Sequence, residues 1–378
     1  RYELSGRFAN TEGVMKDDYR HRYNLGFKLD YHINNSIMVS NRTTYTEIKS
    51  QNTPYGSFGE YVLMNPYERM YNEDGTPNTD LAWDQDNPLY EASLGSYSRN
   101  GSNAFTNSTD FRWDISNMFR LSGHFNITSQ AGWVDIFRSP KSRDFKDVTD
   151  LTKKGSSTQT DSRGTSYNAN VVLAFNHMFR DESLISANAG WEINHSDASS
   201  KTMQAVGFFN DKNSYIGNAA GYPTSQAPFG NLAESADVGT FITANYSWRN
   251  RYFTDATWRM TGSSQFGENN RYGHFWSGGA GWNIKNESWM KDEAPWLSTL
   301  KLRASWGMNG NDRIGNFRYA ALTSTGNNYV FGSGNLDNED IINGVKTQTT
   351  PNSLLGWEKS TQTDVGADFG FFGNSLLF

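Results

Sequence analysis

The chain has 378 residues, a formal net charge of -6 and no cysteine, and aromatic residues make up 15% of it. The aromatic content excludes intrinsic disorder, because disordered segments are poor in rings. The absence of Cys excludes disulfides and zinc–thiolate sites, and the acidic balance gives no basic surface for nucleic acid. The sequence contains no uncharged apolar run of about 18 residues, which excludes a membrane-spanning helix.

Apolar and polar residues alternate along most of the chain, which is the pattern of strands with two different faces. In the segment 19–33, for example, Leu25, Phe27 and Leu29 alternate with Lys28 and Asp30. The same pattern predicts strands, in chain order, at about 2–10, 18–33, 36–50, 104–118, 123–138, 166–179, 184–206, 237–249, 251–266, 272–286, 298–310 and 360–373, with another beginning at 374.

The connections between these strands alternate between short and long. Short links are predicted at 34–35, 119–122, 180–183, 249–250 and 373–374. Long links are predicted at 51–103, 139–165, 207–236 and 311–359, although 267–271 and 287–297 break the rule. Tight turns at one end and long loops at the other are typical of outer-membrane barrels, whose strands are about 9–11 residues or more.

Aromatic residues near strand ends, such as Tyr246, Trp248, Tyr252 and Trp258, fit the girdles that such barrels place at the membrane interfaces. We therefore predict an all-β fold, an antiparallel transmembrane β-barrel with long extracellular loops and short periplasmic turns. A soluble β-sheet core is the alternative reading of the same rings. A barrel must close to remove its edges, so neighbouring strands are expected outside these residues.

The sequence shows no recognisable catalytic chemistry. The histidines have no metal-ligand spacing, and no phosphate-binding or nucleophile motif stands in a suitable context. Two groups of loop carboxylates resemble calcium loops only weakly, and a solvated loop is the better interpretation of both: Asp80, Asp84, Asp86 and Glu91, and Asp337, Glu339 and Asp340. We predict that the protein is not an enzyme and uses no cofactor or metal.

The polar faces of the strands are the best candidates for contact with a solute. If the apolar face meets lipid, the interior is lined by Arg20, Arg22, Lys28, Asp30, Arg42, Arg112, Asp255, Arg259, Lys301, Arg303, Asp364 and Asp368. A hydrated wall of paired charges is the simpler reading for any one of them. Loop aromatics form a second group of candidates for gripping sugar or peptide, unless they only hold the loops together: Tyr55, Phe58, Tyr61, Trp83, Tyr90, Tyr97, Tyr222 and Phe229.

Particular motifs resemble one family. The stretch 258–273, WRMTGSSQFGENNRYG, is similar to the barrel of the SusC/RagA-type TonB-linked outer-membrane transporters of the Bacteroidetes. The segments 296–311 and 357–370 look like the next parts of that barrel, and 65–67 and 87–90 resemble one of its long extracellular loops. Thr261 and Trp276 depart from the family pattern, which has an acidic residue and a proline there.

The resemblance implies a barrel of 22 strands in the outer membrane, energised by TonB through an N-terminal plug and covered by a SusD-like surface lipoprotein. Such proteins import oligosaccharides or peptides. We expect residues 1–378 to form one part of the barrel domain, with the plug, the TonB-contact segment and the final strands outside them. A passive outer-membrane porin and a soluble all-β glycan-binding protein are the alternatives.

Overall fold

The computed structural model describes residues 1–55, 58–79, 81–82, 86–223, 227–291, 293–316, 318–320, 322–331, 340–348 and 350–377. The strands of this part of the chain are β1 (Tyr2–Glu12), β2 (Tyr19–His32), β3 (Ile37–Asn52), β4 (Tyr97–Asp114), β5 (Phe119–Arg138), β6 (Ser156–Met178), β7 (Ser183–Val206), β8 (Phe229–Trp248), β9 (Tyr252–Ser263), β10 (Tyr272–Asn283), β11 (Leu297–Asn311), β12 (Thr323–Phe331), β13 (Asp340–Thr347), β14 (Glu358–Phe371) and β15 (Leu376–Leu377). Short helices lie in the connections: α1 (Phe58–Leu63), α2 (Pro88–Ser93) and α3 (Ser288–Lys291). None of the helices in the described ranges is long and apolar enough to cross a membrane.

The strands form one antiparallel sheet of 13 strands in the order β1 to β11, then β14 and β15. Consecutive strands are neighbours throughout, except that the separate hairpin β12–β13 is inserted between β11 and β14. This is the connectivity of an up-and-down barrel wall. The predicted all-β, antiparallel fold is confirmed.

The register of the strands gives the sheet two different faces. Leu25 pairs with Tyr45, which pairs with Phe105, and three residues further along β2 Lys28 pairs with Arg42. Residues that pair in this way project from the same side of a sheet. We call the side of Leu25 the apolar face and the side of Lys28 the polar face.

Stacked rings border the apolar face at both ends, as girdles at a membrane interface do. At the short-turn end, Tyr252 stacks between Trp248 and Trp282, with ring centroids 5.7 and 6.3 Å apart. At the loop end, Tyr167 stacks on His195 at 4.9 Å. We call these the inner and outer girdles. The placement of aromatics at strand ends agrees with the sequence prediction.

One part of the apolar face, between the girdles, is polar. Asn41 Nδ2 donates to Oδ1 of Asn107 at 3.2 Å and to Oγ1 of Thr109 at 2.8 Å, and Asn107 Nδ2 donates to Oγ1 of Thr43 at 2.8 Å. We call these residues of β3 and β4 the amide ladder. Polar groups in hydrocarbon must find partners within the protein, and here they satisfy one another.

Several strands are longer than the sequence predicted. β4 begins at 97 instead of 104, β6 at 156 instead of 166, and β8 at 229 instead of 237. The hairpin β12–β13 lies inside the predicted loop 311–359. The missed segments of β4 and β6 are almost entirely polar on both faces, and that of β8 has only the isolated large apolar residues Phe229 and Leu232, so none of the three shows a regular alternation. The missed segments of β4, β6 and β8 extend the sheet beyond the outer girdle.

The short turns are confirmed with small shifts. Residues Arg249 and Asn250 have positive φ values of 49° and 54°, which is the geometry that joins β8 and β9 with the correct twist. The turn between β4 and β5 lies at 115–118, not at 119–122 as predicted. There the Ser116 hydroxyl accepts hydrogen bonds from the backbone N–H groups of Met118 and Phe119, both at 3.2 Å, and closes the turn early.

The longer link between β10 and β11 is organised around a buried carboxylate. Glu287 Oε1 accepts hydrogen bonds from the Tyr252 hydroxyl at 2.7 Å and from Nε1 of Trp282 at 3.0 Å. Its Oε2 lies 3.2 Å from Nη1 of Arg251. The hydrogen bond from Tyr252 is the main reason why the pKa of Glu287 is lowered. The link is thereby tied to the inner girdle.

Candidate functional site

The polar face carries every charged residue that the sequence placed on the inner wall. Lys28 and Arg42 pair directly, Asp255 pairs with Gly279 on the next strand, and Lys301 pairs with Asp368. The same register places the other predicted residues on this face: Arg20, Arg22, Asp30, Arg112, Arg259, Arg303 and Asp364. This common orientation is what a barrel lumen requires.

Four of these residues come together in one pocket near the short-turn end. Asp255, Lys301, Arg303 and Asp364 line a hollow of about 460 Å³ between β9, β10, β11 and β14. The sequence predicted them on separate strands, and the register of these strands places them side by side. Arg303 Nε lies 3.3 Å from Oδ1 of Asp368, so the charges of the pocket are partly paired.

Small residues make this pocket deep. Gly279, Gly281 and Gly366 line it, so the charged side chains lie across a floor of bare backbone. A methyl group at Gly279 would stand 2.5 Å from a carboxylate oxygen of Asp255. Lys301 Nζ lies 5.0 Å from the centre of the Phe253 ring, which holds the ammonium group on the wall.

A second group lies at the centre of the sheet. Nη2 of Arg259 on β9 hydrogen-bonds Oε1 of Glu192 on β7, and its Nε donates to Oγ1 of Thr261 at 2.9 Å. Glu192 was not among the predicted residues, because only the register shows that β7 and β9 are close enough to pair their side chains. Gly239 of β8 stands between the two.

Further ion pairs line the polar face nearer the start of the chain. Lys28 Nζ lies 3.3 Å from Asp30, and Arg112 and Arg120 both contact Asp114, at 2.8 and 2.5 Å. Asp114 and Arg120 were missed, although opposite charges two positions apart on one strand are a signal that the sequence offers. His124 Nδ1 and Asp110 Oδ1, also missed, lie 2.7 Å apart.

Some predicted cations stay free. Within the part of the chain that the structure describes, Arg20, Arg22 and Arg42 form no ion pair. Arg42 also stands directly opposite Lys28, so like charges are neighbours there. Such a contact is unfavourable unless an anion offsets it. The guanidinium groups of these arginines therefore keep N–H donors that no carboxylate of the described residues occupies.

On β4 to β8, the part of the polar face that is closer to the loops is small and neutral. A hollow of about 390 Å³ crosses β4 to β8 there. Its side chains from the polar face are Ser102, Ala104, Gln130, Gly132, Ser162, Ala198, Ser200, Asn231 and Ala233. The sequence did not predict this hollow, because these side chains carry no charge and four of the residues, Ser102, Ser162, Asn231 and Ala233, lie on strand extensions that were predicted to be loop.

The loops 53–96 and 139–155 are bound to each other. The backbone N–H of Arg143 donates to Oε1 of Glu91 at 2.9 Å, its Nε contacts Asp86 at 2.9 Å, and the Tyr90 hydroxyl donates to the carbonyl of Lys141 at 2.9 Å. Burial raises the pKa of Tyr90. The side chain of Asn87, fully buried, binds the carbonyls of residues 70 and 78, both at 2.8 Å.

A third loop joins them. Phe137 at the end of β5 packs edge-on against Phe208 of the loop 207–228, with centroids 5.2 Å apart, and Tyr97 lies 5.8 Å from Phe137. Both phenylalanines are almost completely buried. The Tyr97 hydroxyl contacts Ser214 at 3.1 Å. The loop 207–228 thus packs on a small core at the ends of β4, β5 and β7, and the backbone N–H of Phe208 joins it to the loop 139–155 by donating to the carbonyl of Lys154 at 2.9 Å.

The predicted loop aromatics divide into two groups. Tyr55 is buried at 6% exposure and Tyr90 is tied to Lys141, so both support the loops. Phe58 on α1 and Tyr222 are open to solvent. Trp83 lies outside the described residues, as do Asp80, Asp84, Asp337 and Glu339 of the weak calcium patterns. Among the described residues no cluster of His, Asp and Glu has the arrangement of a metal site.

Comparison with known proteins places this geometry in context. No family model matches the chain. TonB-dependent receptor P3 of Formosa agariphila is 26% identical over the whole chain, and TonB-dependent receptor SusC of Bacteroides thetaiotaomicron is 39% identical over 37% of it. The RagAB peptide importer in its closed-closed state has a TM-score of 0.75 and 22% identity over 99% of the chain.

The resemblance to TonB-dependent receptors of the SusC/RagA type is confirmed. The chain spans 37% of receptor P3 and 41% of the RagAB chain, so it corresponds to a part of the barrel in these proteins. An outer-membrane location follows from this resemblance and from the girdled apolar face. The relatives are receptors and transporters, as expected for a protein that is not an enzyme.

Proposed function

We propose that this segment of a SusC/RagA-type barrel forms part of the wall of an outer-membrane transporter. The complete protein would take up oligosaccharides or peptides with energy transmitted by TonB, and a SusD-like lipoprotein would cover its mouth. The observation that carries the proposal is the match over the whole chain to TonB-dependent receptors, together with the fold of the RagAB importer.

The wall itself supports transport of a polar solute. The charged residues predicted for the wall all project from one face, and several of them are paired, whereas Arg20, Arg22 and Arg42 form no ion pair within the described residues. Arg22 lies level with the neutral hollow, because it pairs with Ile48, which pairs with Ser102 of the hollow, whereas Arg42 lies further from the loops. We propose that a solute coming from the loops meets the neutral hollow together with Arg20 and Arg22, and then Arg42, and that these arginines bind its carboxylate or hydroxyl groups.

The charged pocket near the short turns has a different role in this proposal. Asp255, Lys301, Arg303 and Asp364 lie at the end of the polar face farthest from the loops. We propose that these residues, with Asp368, contact what fills the barrel there, either the plug or a solute passing inward. Because Arg303 and Asp368 are only partly buried, their pairing is weak enough to be exchanged for such contacts.

Uptake by whole cells tests the proposal. Cells that express the full-length receptor are given a size-graded mixture of starch oligosaccharides or a tryptic digest of casein, and the loss of each species from the medium is followed by mass spectrometry. We expect one class to be depleted and its depletion to stop when TonB is deleted. Depletion that survives the loss of TonB would establish a passive channel instead, and depletion of neither class would contradict both substrate classes.

A pair of variants tests the wall residues. The double change Arg22→Gln and Arg42→Gln should slow uptake by roughly tenfold, the value of a hydrogen bond to a charged group. Lys49→Gln is the matched control, since Lys49 is exposed on the opposite face of the sheet. Equal uptake by both variants would remove the arginines from the substrate path.

A further inference from the structure

The sheet carries an isolated tryptophan on its outward side, beyond the apolar residues. Trp133 of β5 projects from the same side as Phe125 and Ile127, and 40% of it is exposed. Its register partners are Gly101 on β4 and Asp161 on β6. No part of the proposed transport path uses this residue, because the path lies on the polar face.

The indole is held flat on the sheet. Gly101 is buried beneath it, and a Cβ atom at Gly101 would stand 2.7 Å from both Nε1 and Cε2 of Trp133. Only a residue without a side chain leaves room for the ring to lie down on the backbone. One face of the indole is therefore fixed against the protein and the other is presented to the surroundings.

Polar groups of both charges surround the ring. Glu47, Lys49, Asp161 and Arg163 line a hollow of about 150 Å³ beside Trp133. Lys49 and Glu47 are paired at 2.8 Å. Asp161 and Arg163 are exposed and form no ion pair within the described residues, so they keep their donors and acceptors for a ligand.

The height of the ring relative to the membrane follows from the strand. Ile127 pairs with Tyr167 of the outer girdle, and Trp133 lies further along β5 on the loop side. Six residues of a tilted strand correspond to roughly 15 Å along the membrane normal. The outward residues around Trp133 are charged, whereas those below Ile127 are apolar. The ring therefore stands level with lipid headgroups and not with acyl chains.

We propose that Trp133, with Glu47, Lys49, Asp161 and Arg163, binds the sugar headgroup of a glycolipid in the outer leaflet. A sugar ring has an apolar face of C–H groups that stacks on an aromatic ring, and hydroxyl groups around its edge that need donors and acceptors. The site presents one flat ring and groups of both charges at its margin. Acyl chains would leave the charged groups without partners.

The site lies on the lipid side of the wall, so a membrane glycolipid can reach it by lateral diffusion. The proposal does not depend on which solute the barrel transports. Another copy of the receptor, seated through the same patch, is an outcome that the experiment below detects.

Binding to the full-length receptor in detergent tests the site. The probes are purified rough-type lipopolysaccharide, its core oligosaccharide released from lipid, and phosphatidylglycerol, and the bound fraction is measured by native mass spectrometry. We expect Trp133→Ala to weaken binding of the lipopolysaccharide about tenfold, while Trp133→Phe keeps most of it. Trp191→Phe is the control, since Trp191 is an exposed ring of the apolar face.

Heat-modifiable gel mobility shows that each variant is folded, so a loss of binding is not a loss of the barrel. Arg163→Gln and Asp161→Asn should each weaken lipopolysaccharide binding and leave phosphatidylglycerol unaffected. The proposal is overturned if Trp133→Ala binds lipopolysaccharide as tightly as the unmodified protein. It is also overturned if the variants lose phosphatidylglycerol equally, or if only the mass of a receptor dimer changes. Tight binding of the free core oligosaccharide alone would assign the site to soluble sugar instead.

Discussion

Glu192 on β7 and Arg259 on β9 hydrogen-bond to each other across Gly239, a residue of the strand that separates them. An ordinary side chain at the middle position would fill the space in which the two meet. A Cβ atom at Gly239 would stand 3.1 Å from Glu192 and 3.2 Å from Arg259. The ion pair therefore depends on a residue that takes no part in it.

Replacing Gly239 by Val should separate this ion pair. Val is favoured in strands, so any loss of stability comes from the clash and not from strand propensity. We expect a cost of about 1–3 kcal/mol, the usual range for an overpacked site. The temperature at which the native barrel shifts to its unfolded mobility on gels measures the effect. Gly278→Val is the control, because the nearest atom to its Cβ is 3.8 Å away, and an equal loss there would contradict the explanation.

The amide ladder gives a prediction about paired changes. Asn107→Leu removes one of the two acceptors of the Asn41 amide, which keeps its hydrogen bond to Thr109, and this loss should cost about 1 kcal/mol. The double change Asn41→Leu and Asn107→Leu removes both amides, so it should cost less than the sum of the two single changes. The free energies of unfolding in urea, measured for the receptor in lipid vesicles, complete this double-mutant cycle. Additive losses would show that the two amides do not support each other.

Acid should loosen the link between β10 and β11. Hydrogen bonds from Tyr252 and Trp282 lower the pKa of Glu287 in the folded protein, so this group stabilises the fold above its ordinary pKa of 4.5. The contribution is lost as the pH falls below that value and through the folded pKa. The protection factors of the amides in the segment 284–296, which compare their exchange rates with those of the unfolded chain at the same pH, should fall between pH 6 and pH 3. Glu287→Gln should have lower protection at pH 6 and lose most of the pH dependence of that protection; protection that does not change with pH in the unmodified protein would contradict the assignment.

Arg143 should control how firmly two loops are held. Arg143→Ala removes the side-chain contacts to Asp86 and to the carbonyl of Thr79, which bind the loop 139–155 to the loop 53–96. We expect faster cleavage within these loops by a protease that does not cleave after Arg or Lys, such as thermolysin. The heat stability of the barrel should not change. Lys153→Ala is the control, because its ion pair with Asp150 is exposed and local. Equal protection in both variants would show that Phe137 and Phe208 suffice.

The sequence predicted the two faces of the sheet, because alternation is visible wherever one face is apolar. Along β2 every second residue from Tyr23 to Tyr31 is large and apolar, and the strand was placed to within about a residue. The first half of β6, from Ser156 to Gly164, is polar on both faces. Nothing in that segment distinguishes a strand from a loop, and only its pairing with β5 and β7 makes it one.

For the candidate site, the sequence likewise predicted which face the residues occupy but not which residues pair. Orientation follows from alternation, so Asp255, Lys301 and Arg303 were placed correctly on the polar face. Which side chains pair across neighbouring strands depends on the register of the strands. The sequence does not determine that register when the strands are joined by long loops. For that reason Glu192 was missed, and so was the neutral hollow, which is built from residues that have no chemical signature of their own.

The ladder between β6 and β7 continues without interruption from Ser156 and Val206 to Met178 and Leu184. A strand of this length, with the 24 residues of β7, measures roughly 80 Å and, tilted as barrel strands are, rises about 60 Å along the membrane normal, whereas the hydrocarbon layer is about 30 Å thick. About half of the wall at β6 and β7 therefore stands outside the hydrocarbon layer. A molecule that reaches the rim is enclosed on one side by protein for tens of ångströms before it reaches membrane depth. Diffusion of the molecule away from the wall is slowed along this whole length. Capture of the solute therefore begins before it binds to any single residue.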